Sequence, residues 1–239
     1  MNINEWLVDY AALLPTQIAD HLEQNISFLS DELPYQWANV YKRLSPQPAN
    51  VHRINIGAYE YLYDFSTELV KSGRMEREEM VEDRLVAVHG KAQLSRRKRK
   101  DSILRGFPRG PIEYIEPLLR TSYDRGHFIA HTLGGDLNIN IFPQRTDINR
   151  GRSGDGKLYR SMEIYCQKNP STYCFSRPFY TSQSGHPFAI EFGALRADST
   201  LWVNVFSNCQ SIEELTEIER LFREEITKQA LLQKSEEGA

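Results

Sequence analysis

The sequence predicts an α+β protein with a helical N-terminal extension, a mixed or antiparallel sheet, and a C-terminal helix. Three observations carry this. Apolar side chains recur in three- and four-residue steps near the start. Runs rich in β-branched and aromatic residues, bounded by turn formers, occupy the second half. A capping-box pattern opens a single apolar stripe near the end. A chain of 239 residues has room for one large domain, or for a domain with an elaborated extension.

Taken in order, Trp6, Leu7, Tyr10, Leu13, Leu14, Ile18, Leu22 and Ile26 trace one or two amphipathic helices over 5–30, with Pro15 marking a break or a new first turn. "LSPQPAN" (44–50) is a turn-rich connector. "INIGAYEYLYDF" (54–65) reads equally as strand or helix. "RMEREEMVEDRLVAVHG" (74–90) reads as a helix ending at Gly90. The division this suggests is a mainly helical segment 1–90 and a second domain over 91–239. "GFPRGP" (106–111) is a loop. "NINIFPQ" is a short strand stopped by proline. "HPFAIEFGAL" and "STLWVNVFSN" read as strands. From Ser211, with Glu214 three residues on, Ile212, Leu215, Ile218, Leu221, Phe222 and Ile226 form one helical stripe before a polar tail.

Composition excludes several classes. Hydrophobic residues are 40% and charged residues 26%, enough apolar material for a core. The net charge of −3 does not by itself point to a polyanionic partner, so a nucleic-acid site has to come from local clustering. The three cysteines, Cys166, Cys174 and Cys209, do not form a disulfide framework and lack zinc-ribbon spacing. The N-terminus lacks the basic start and apolar run of a signal peptide. No stretch reaches the roughly 18 apolar residues of a membrane span. A cytoplasmic location, or export without a classical signal peptide, is expected.

The chemistry-bearing stretch begins "YDRGHFIAHTLGG" (123–135). His127 and His131 stand four apart. That is metal-ligand spacing in a helix, and in a strand it is a shared face. No acid stands between them as in a zincin motif. Gly126 lets the backbone bend just before His127. Arg125 lies two residues from His127, so an extended segment puts both on one side. A permanent cation there opposes protonation of the imidazole and favours a neutral base near pH 7. It can also bind a phosphate through two parallel hydrogen bonds. Asp147 can cap a helix starting at Ile148, which sets Asn149 in its first turn. Asn149 is then either a helix-start residue or a neutral oxygen ligand suited to magnesium. "RRKRK" (96–100) is either a solvated charge run or a phosphate-contacting patch.

In order, the chain presents Asp-Arg-Gly-His (124–127), Asn-x-x-Pro-Gln (140–144), Asn-x-Gly (149–151) and aromatic-Arg-x-Met-Glu (159–163). Together these resemble the DNA/RNA non-specific endonuclease family with the ββα-metal fold, nearest to the nuclease modules of bacterial polymorphic toxins. The resemblance is dense over about 121–166, weaker to about 208, and absent over 1–90.

It implies a ββα-metal core and a set of roles. His127 would be the general base. Asn149 would bind one Mg2+ or Mn2+ directly, and Glu163 would hold a metal-bound water. Arg125 would contact phosphate. Asp124 would shape the site, Asn140, Pro143 and Gln144 would support it, and His131 would be a supporting or substrate-side residue. The implied activity is hydrolysis of DNA or RNA with little sequence preference, leaving 5′-phosphate and 3′-hydroxyl ends, as a toxin or defence effector that an inhibitor protein would restrain. A catalytically inactive nucleic-acid-binding module on the same fold is the alternative, and a zinc-stabilised interaction domain using His127, His131 and the cysteines is a second.

Two departures stand out. Fourteen residues separate Asn149 from Glu163, about 21 Å along a continuous helix at 1.5 Å per residue. "GRSGDG" therefore has to loop out and return the chain before "KLYRSME". The basic residue expected just after the glutamate is also shifted, to Gln167 then Lys168. A second phosphate contact has to come from Lys168 or from Arg97 and Arg99 in the basic run.

Overall fold

Between Leu22 and Leu44 the apolar residues Ile26, Leu29, Leu33, Trp37 and Tyr41 recur every three or four positions, and all five are buried. They belong to a single 23-residue helix, α2 (Leu22–Leu44), preceded by a one-turn 3-10 helix (Ile3–Glu5) and a short α1 (Tyr10–Leu13). The computed structural model describes residues 3–13, 21–45, 49–67, 81–95, 122–180, 186–209 and 220. The helix expected to stop by residue 30 runs on through Pro34, because the buried stripe continues unbroken across it. Apart from residue 220, the C-terminal helix expected from residue 211 lies outside the described residues, as do the "RRKRK" run and the "GFPRGP" loop.

The ambiguous stretch at 54–65 is a hairpin: β1 (His52–Ile56) and β2 (Tyr59–Thr67) pair antiparallel around a turn at Gly57 and Ala58. Within the segment expected to be a helix over 74–90, residues 81–90 belong to a strand, β3 (Val81–Lys91). The run Leu85-Val86-Ala87-Val88 is buried throughout, because the sheet is covered on both faces. A strand of that kind shows no alternation, and a short apolar run then reads as either element. The division expected at 90/91 falls inside β3, which bonds to β2 on one side and to β6 on the other. Residues 52–91 thus supply three of the six strands of the main sheet.

Three further strands complete it: β6 (Tyr173–Phe179), β7 (Ala189–Leu195) and β8 (Leu201–Ser207). The order is β1-β2-β3-β6-β7-β8, antiparallel at every pairing. The expected strands at 186–195 and 199–208 correspond to β7 and β8. A separate two-stranded antiparallel sheet joins β4 (Tyr123–His127) to β5 (Ile141–Arg145). After β5 come a one-turn helix α3 (Thr146–Asn149) and then α4 (Gly154–Lys168).

Two apolar clusters cover the two faces of the main sheet. On one face, Trp6 and the α2 stripe pack on Tyr173, Phe175, Phe179, Ala189 and Leu195. On the other, Phe128, Phe142, Ile148, Tyr159 and Met162 pack on Tyr59, Tyr61, Cys174, Ile190, Phe192 and Phe206. Alternate residues of β6 and β7 fall in opposite clusters, as the two-residue period of a strand requires. Each fully buried large side chain contributes roughly 1.5–3 kcal/mol of transfer free energy. The result is three layers: α2 with the N-terminal segment, the main sheet, and α4 with β4–β5. No helix among the described residues is long and apolar enough to cross a membrane.

Candidate functional site

Strand β4 carries Asp124, Arg125 and His127, all half-buried. Its partner β5 sets Gln144 opposite Asp124 and Pro143 opposite Arg125. Gly126, between the two functional positions, is held to glycine by close approach rather than by a bend. A Cβ there would lie 2.3 Å from both Cβ and Oε1 of Gln144. The buried Gln144 side chain therefore needs a glycine at the position diagonal to it on β4.

Beyond His127 the chain leaves the strand. Asn140, fully buried, holds this departure in place. Its Oδ1 accepts from the Ile129 N–H (2.9 Å), and its Nδ2 donates to the carbonyls of Ile129 (2.7 Å) and Asp136 (3.0 Å). His131 opens a one-turn 3-10 helix (His131–Leu133). Neither the helical nor the strand spacing relates it to His127.

Asp124 is the hinge between β4 and α3. Its carboxylate accepts two hydrogen bonds from the Arg150 guanidinium, at 2.8 and 2.7 Å, and one from Asn149 Nδ2 at 3.2 Å. Partial burial opposes its charge. The Arg150 fork, the Asn149 amide and the Thr146 hydroxyl outweigh that and hold the carboxyl below its usual range. With Nδ2 committed to Asp124, the amide of Asn149 presents its oxygen at the other end. Arg150 is the residue that sequence reasoning missed in this group, and an arginine beside a glycine in "INRG" gives no signal of its acid partner.

The helix does break after Asn149, but the break is confined to residues 150–153: the "GDG" expected to loop out with it already forms the first turn of α4. Arg150 ends α3, Gly151 takes a left-handed φ of +65°, and Ser153 caps α4 by accepting from the Gly156 N–H at 3.0 Å. Gly156 then packs so tightly on α3 that a Cβ would lie 2.4 Å from the Asp147 carbonyl oxygen. On α4, Gly156, Arg160, Glu163 and Gln167 follow at steps of four, three and four, and so share one flank of the helix. Gly156 touches α3, the stem of Arg160 lies against Gly151, and Gln167 Nε2 donates to Thr132 Oγ1 at 2.6 Å. That flank therefore faces the α3 turn and the 3-10 helix after β4, with Glu163 between them.

Tyr159, one turn before Glu163, donates its hydroxyl to the His127 carbonyl at 3.2 Å. The phenol is pushed well above its ordinary value by burial and by the nearby charge of Glu163. It links α4 to β4 at the histidine, a role that its place in the aromatic-Arg-x-Met-Glu pattern does not announce. Burial pushes the Glu163 carboxyl up to about 7, against the opposing charge of Arg160. Asn208, also not anticipated, ties β5 to the main sheet: its Oδ1 accepts from the Arg145 N–H and its Nδ2 donates to the carbonyls of Pro143 and Pro187, each at 2.9 Å. Its position after a strand in "VFSN" reads as an ordinary turn.

Lys168 is exposed at the C-terminal end of α4, the end remote from α3. Arg97 and Arg99 lie outside the described residues. The cysteines are buried in two separate places. Cys166 and Cys174 lie within hydrogen-bonding reach of each other, with Cys174 Sγ 3.8 Å from the Tyr59 hydroxyl. Cys209 Sγ is 3.7 Å from His186 Nε2. Among the described residues, no three histidine, cysteine, aspartate or glutamate side chains gather as a metal cluster.

The donor set at the α3 turn is thus one oriented amide oxygen, with a half-buried carboxyl on the facing helix flank. It suits a hard cation that keeps most of its waters, as magnesium does. It does not suit zinc held by four protein ligands. A scan against protein-family models finds no match to this chain, and a search of curated proteins finds none.

Proposed function

We propose that this chain is a metal-dependent endonuclease that hydrolyses phosphodiester bonds of DNA or RNA, acting on the backbone with little base preference. The observation that carries this reading is the Asp124 hinge. It joins the strand bearing Arg125 and His127 to the helix bearing Asn149 and turns the amide so that its oxygen is the end left for a cation. The strand–strand–helix order of β4, β5 and α3–α4 is the order that the family resemblance calls for. The return of the chain at Gly151, which brings the Glu163 flank back against α3, supports the role given to Glu163.

Asn149 would hold one Mg2+ or Mn2+, with Glu163 acting through a water. Bound there, such an ion supplies Lewis-acid stabilisation of the charge that develops on the phosphoryl oxygens. His127 takes the proton of the attacking water. Arg125, two residues away on the same strand, neutralises a non-bridging phosphate oxygen. The Tyr159 hydroxyl bond to the His127 carbonyl fixes the backbone from which the base projects. Contacts of this kind address the phosphate, which is common to all sequences.

The test is incubation with supercoiled plasmid and with single-stranded RNA, with and without Mg2+. Nicking or degradation that requires the metal, with 5′-phosphate ends, is the expected result. His127→Ala should lower the rate by about 10²–10⁴-fold, as for the loss of a general base. Cleavage undiminished in His127→Ala would exclude His127 as the base. No cleavage of either substrate by the folded protein would exclude the activity.

A further inference from the structure

The α3–α4 turn concentrates positive charge in a chain that is otherwise acidic. Residues 145–160 hold five cations, Arg145, Arg150, Arg152, Lys157 and Arg160, against two carboxylates, Asp147 and Asp155, while the whole chain carries −3. The carboxylates close to the turn are already engaged. Asp147 takes two bonds from Arg145, at 3.0 and 2.8 Å, and Asp124 takes two from Arg150. Arg152, Lys157 and Arg160 are exposed and form no salt bridge among the described residues. Within 145–160, Asp155 is the acid that remains beside them.

Their placement is what gives the excess charge a direction. The stem of Arg160 lies against Gly151, two residues beyond Asn149, and its head shares the α4 flank with Glu163. Lys157 is one turn earlier on the same helix, and Arg152 is in the turn itself. The three cations thus form a lip running from the Asn149 turn along the outside of α4. Like charges held together on a surface repel one another unless something anionic lies across them.

We propose that this lip is a track for the sugar-phosphate backbone of the substrate, leading the strand past the α3 turn into the site. It offers a second phosphate contact nearer the α3 turn than Lys168, which lies at the far end of α4. The assignment rests on the nucleic-acid reading of the site, but its test does not need turnover.

Binding of a fluorescein-labelled DNA duplex is measured in EDTA by anisotropy, across a series of salt concentrations. The comparison is between the full chain, the triple variant Arg152→Gln/Lys157→Gln/Arg160→Gln, and the double variant Arg152→Gln/Lys157→Gln, which spares the packed Arg160 stem. Lys42→Gln/Lys91→Gln, beside α2, is the control. Removing one cation that neutralises a phosphate should flatten the slope of log affinity against log salt by about 0.9. The triple variant should therefore have a slope shallower by about 2–3 and bind at least about tenfold more weakly at moderate salt. The double variant should show about two-thirds of the slope change, and the control none.

Unchanged affinity and slope in both lip variants would overturn the track, while metal-dependent cleavage by the unaltered chain would still stand. An equal weakening in the control would overturn it too, since any surface cation would then serve. Lip-dependent binding in a chain that never cleaves would uphold the track and remove the endonuclease reading instead.

Discussion

Asn149 contributes one hydrogen bond to Asp124, and Asp124 keeps both bonds from Arg150 when that one is removed. Asn149→Ala should therefore cost only about 1 kcal/mol of stability, the worth of one ordinary hydrogen bond, while abolishing cleavage. Activity that survives in a normally folded Asn149→Ala protein would take the residue out of the site. Glu163 behaves in the opposite way. Its carboxyl is raised to about 7 by burial, with Arg160 opposing, against about 4.3 for a free glutamate. Below about pH 4 it is neutral in folded and unfolded chains alike and costs nothing. As pH rises from about 4 to 7 the unfolded chain ionises first, so stability falls across that window and levels off above it. Glu163→Gln should remove this fall. The variant should gain up to about 3 kcal/mol over the native chain at about pH 8, less to the extent that solvent screens a half-buried group, and gain nothing at about pH 4. Thermal melts at the two pH values measure it, and a pH-independent difference would show that the carboxyl is not raised.

At the level of elements, the site depends on how closely α4 can approach α3. A methyl group at Gly156 would meet the Asp147 carbonyl at 2.4 Å and the Cα atoms of Gly151 and Ile148 at 3.1 Å, whereas one at Gly154 meets nothing within 4 Å. Gly156→Ala should force the two helices apart and destabilise by about 1–3 kcal/mol, in the manner of overpacking. The specific activity of the protein that remains folded should fall as well, because the Glu163 flank moves with the helix. Gly154→Ala, two residues away, should be neutral or stabilising by up to about 1 kcal/mol. Equal effects of the two in urea unfolding and nicking assays would refute the close-packing account. The need for this return is legible in the sequence, since fourteen residues of unbroken helix could not bring Asn149 and Glu163 together and three glycines stand between them. The β5 and β7 strands are legible because turn formers bound their apolar runs, although β5 runs on through Pro143, where the sequence puts its stop, to Arg145. What escapes reading is the sheet's buried centre. β6, with Tyr173 to Phe179 all buried, and the Leu85–Val88 part of β3 alternate in no visible way because both faces are covered. The helix formers of "RMEREEMVED" then pull the adjoining run toward the wrong element. In the site, Arg150 and Tyr159 escape because their partners, an aspartate 26 residues back and a carbonyl 32 residues back, are set by topology, and a local motif does not contain them.

On the scale of the whole molecule, the two covered faces of the main sheet are unlike. The face toward α4 is apolar and backs the site, whereas the face toward α2 holds a buried ion pair, Arg177 with Glu191 at 3.0 Å, both nearly inaccessible. The two are opposite each other in the β6–β7 register. Tyr10 donates its hydroxyl to Glu191, Arg177 donates to the Trp6 carbonyl, and Trp37 Nε1 donates to the Tyr10 hydroxyl at 3.2 Å. The pair is thus the point where the N-terminal segment, α2 and the sheet are joined, which makes the first described residues part of the fold's core. Glu191 stands between Ile190 and Phe192 in "AIEFG", and the cover that residues 3–13 and α2 together supply makes it an interior position. Removing one partner leaves an uncompensated buried charge, which costs about 3–5 kcal/mol, while replacing both by apolar side chains of similar volume is often neutral. Glu191→Leu should accordingly be severely destabilised in urea unfolding, and Arg177→Met/Glu191→Leu should recover most of that stability. Because the pair lies on the face away from α4, the folded fraction of each variant should cleave at the native rate per molecule. A double variant as unstable as the single one would mean that the network is valued for its hydrogen bonds to Trp6 and Tyr10 rather than for charge pairing. A drop in activity beyond the drop in folded protein would mean that the two faces are coupled through the sheet.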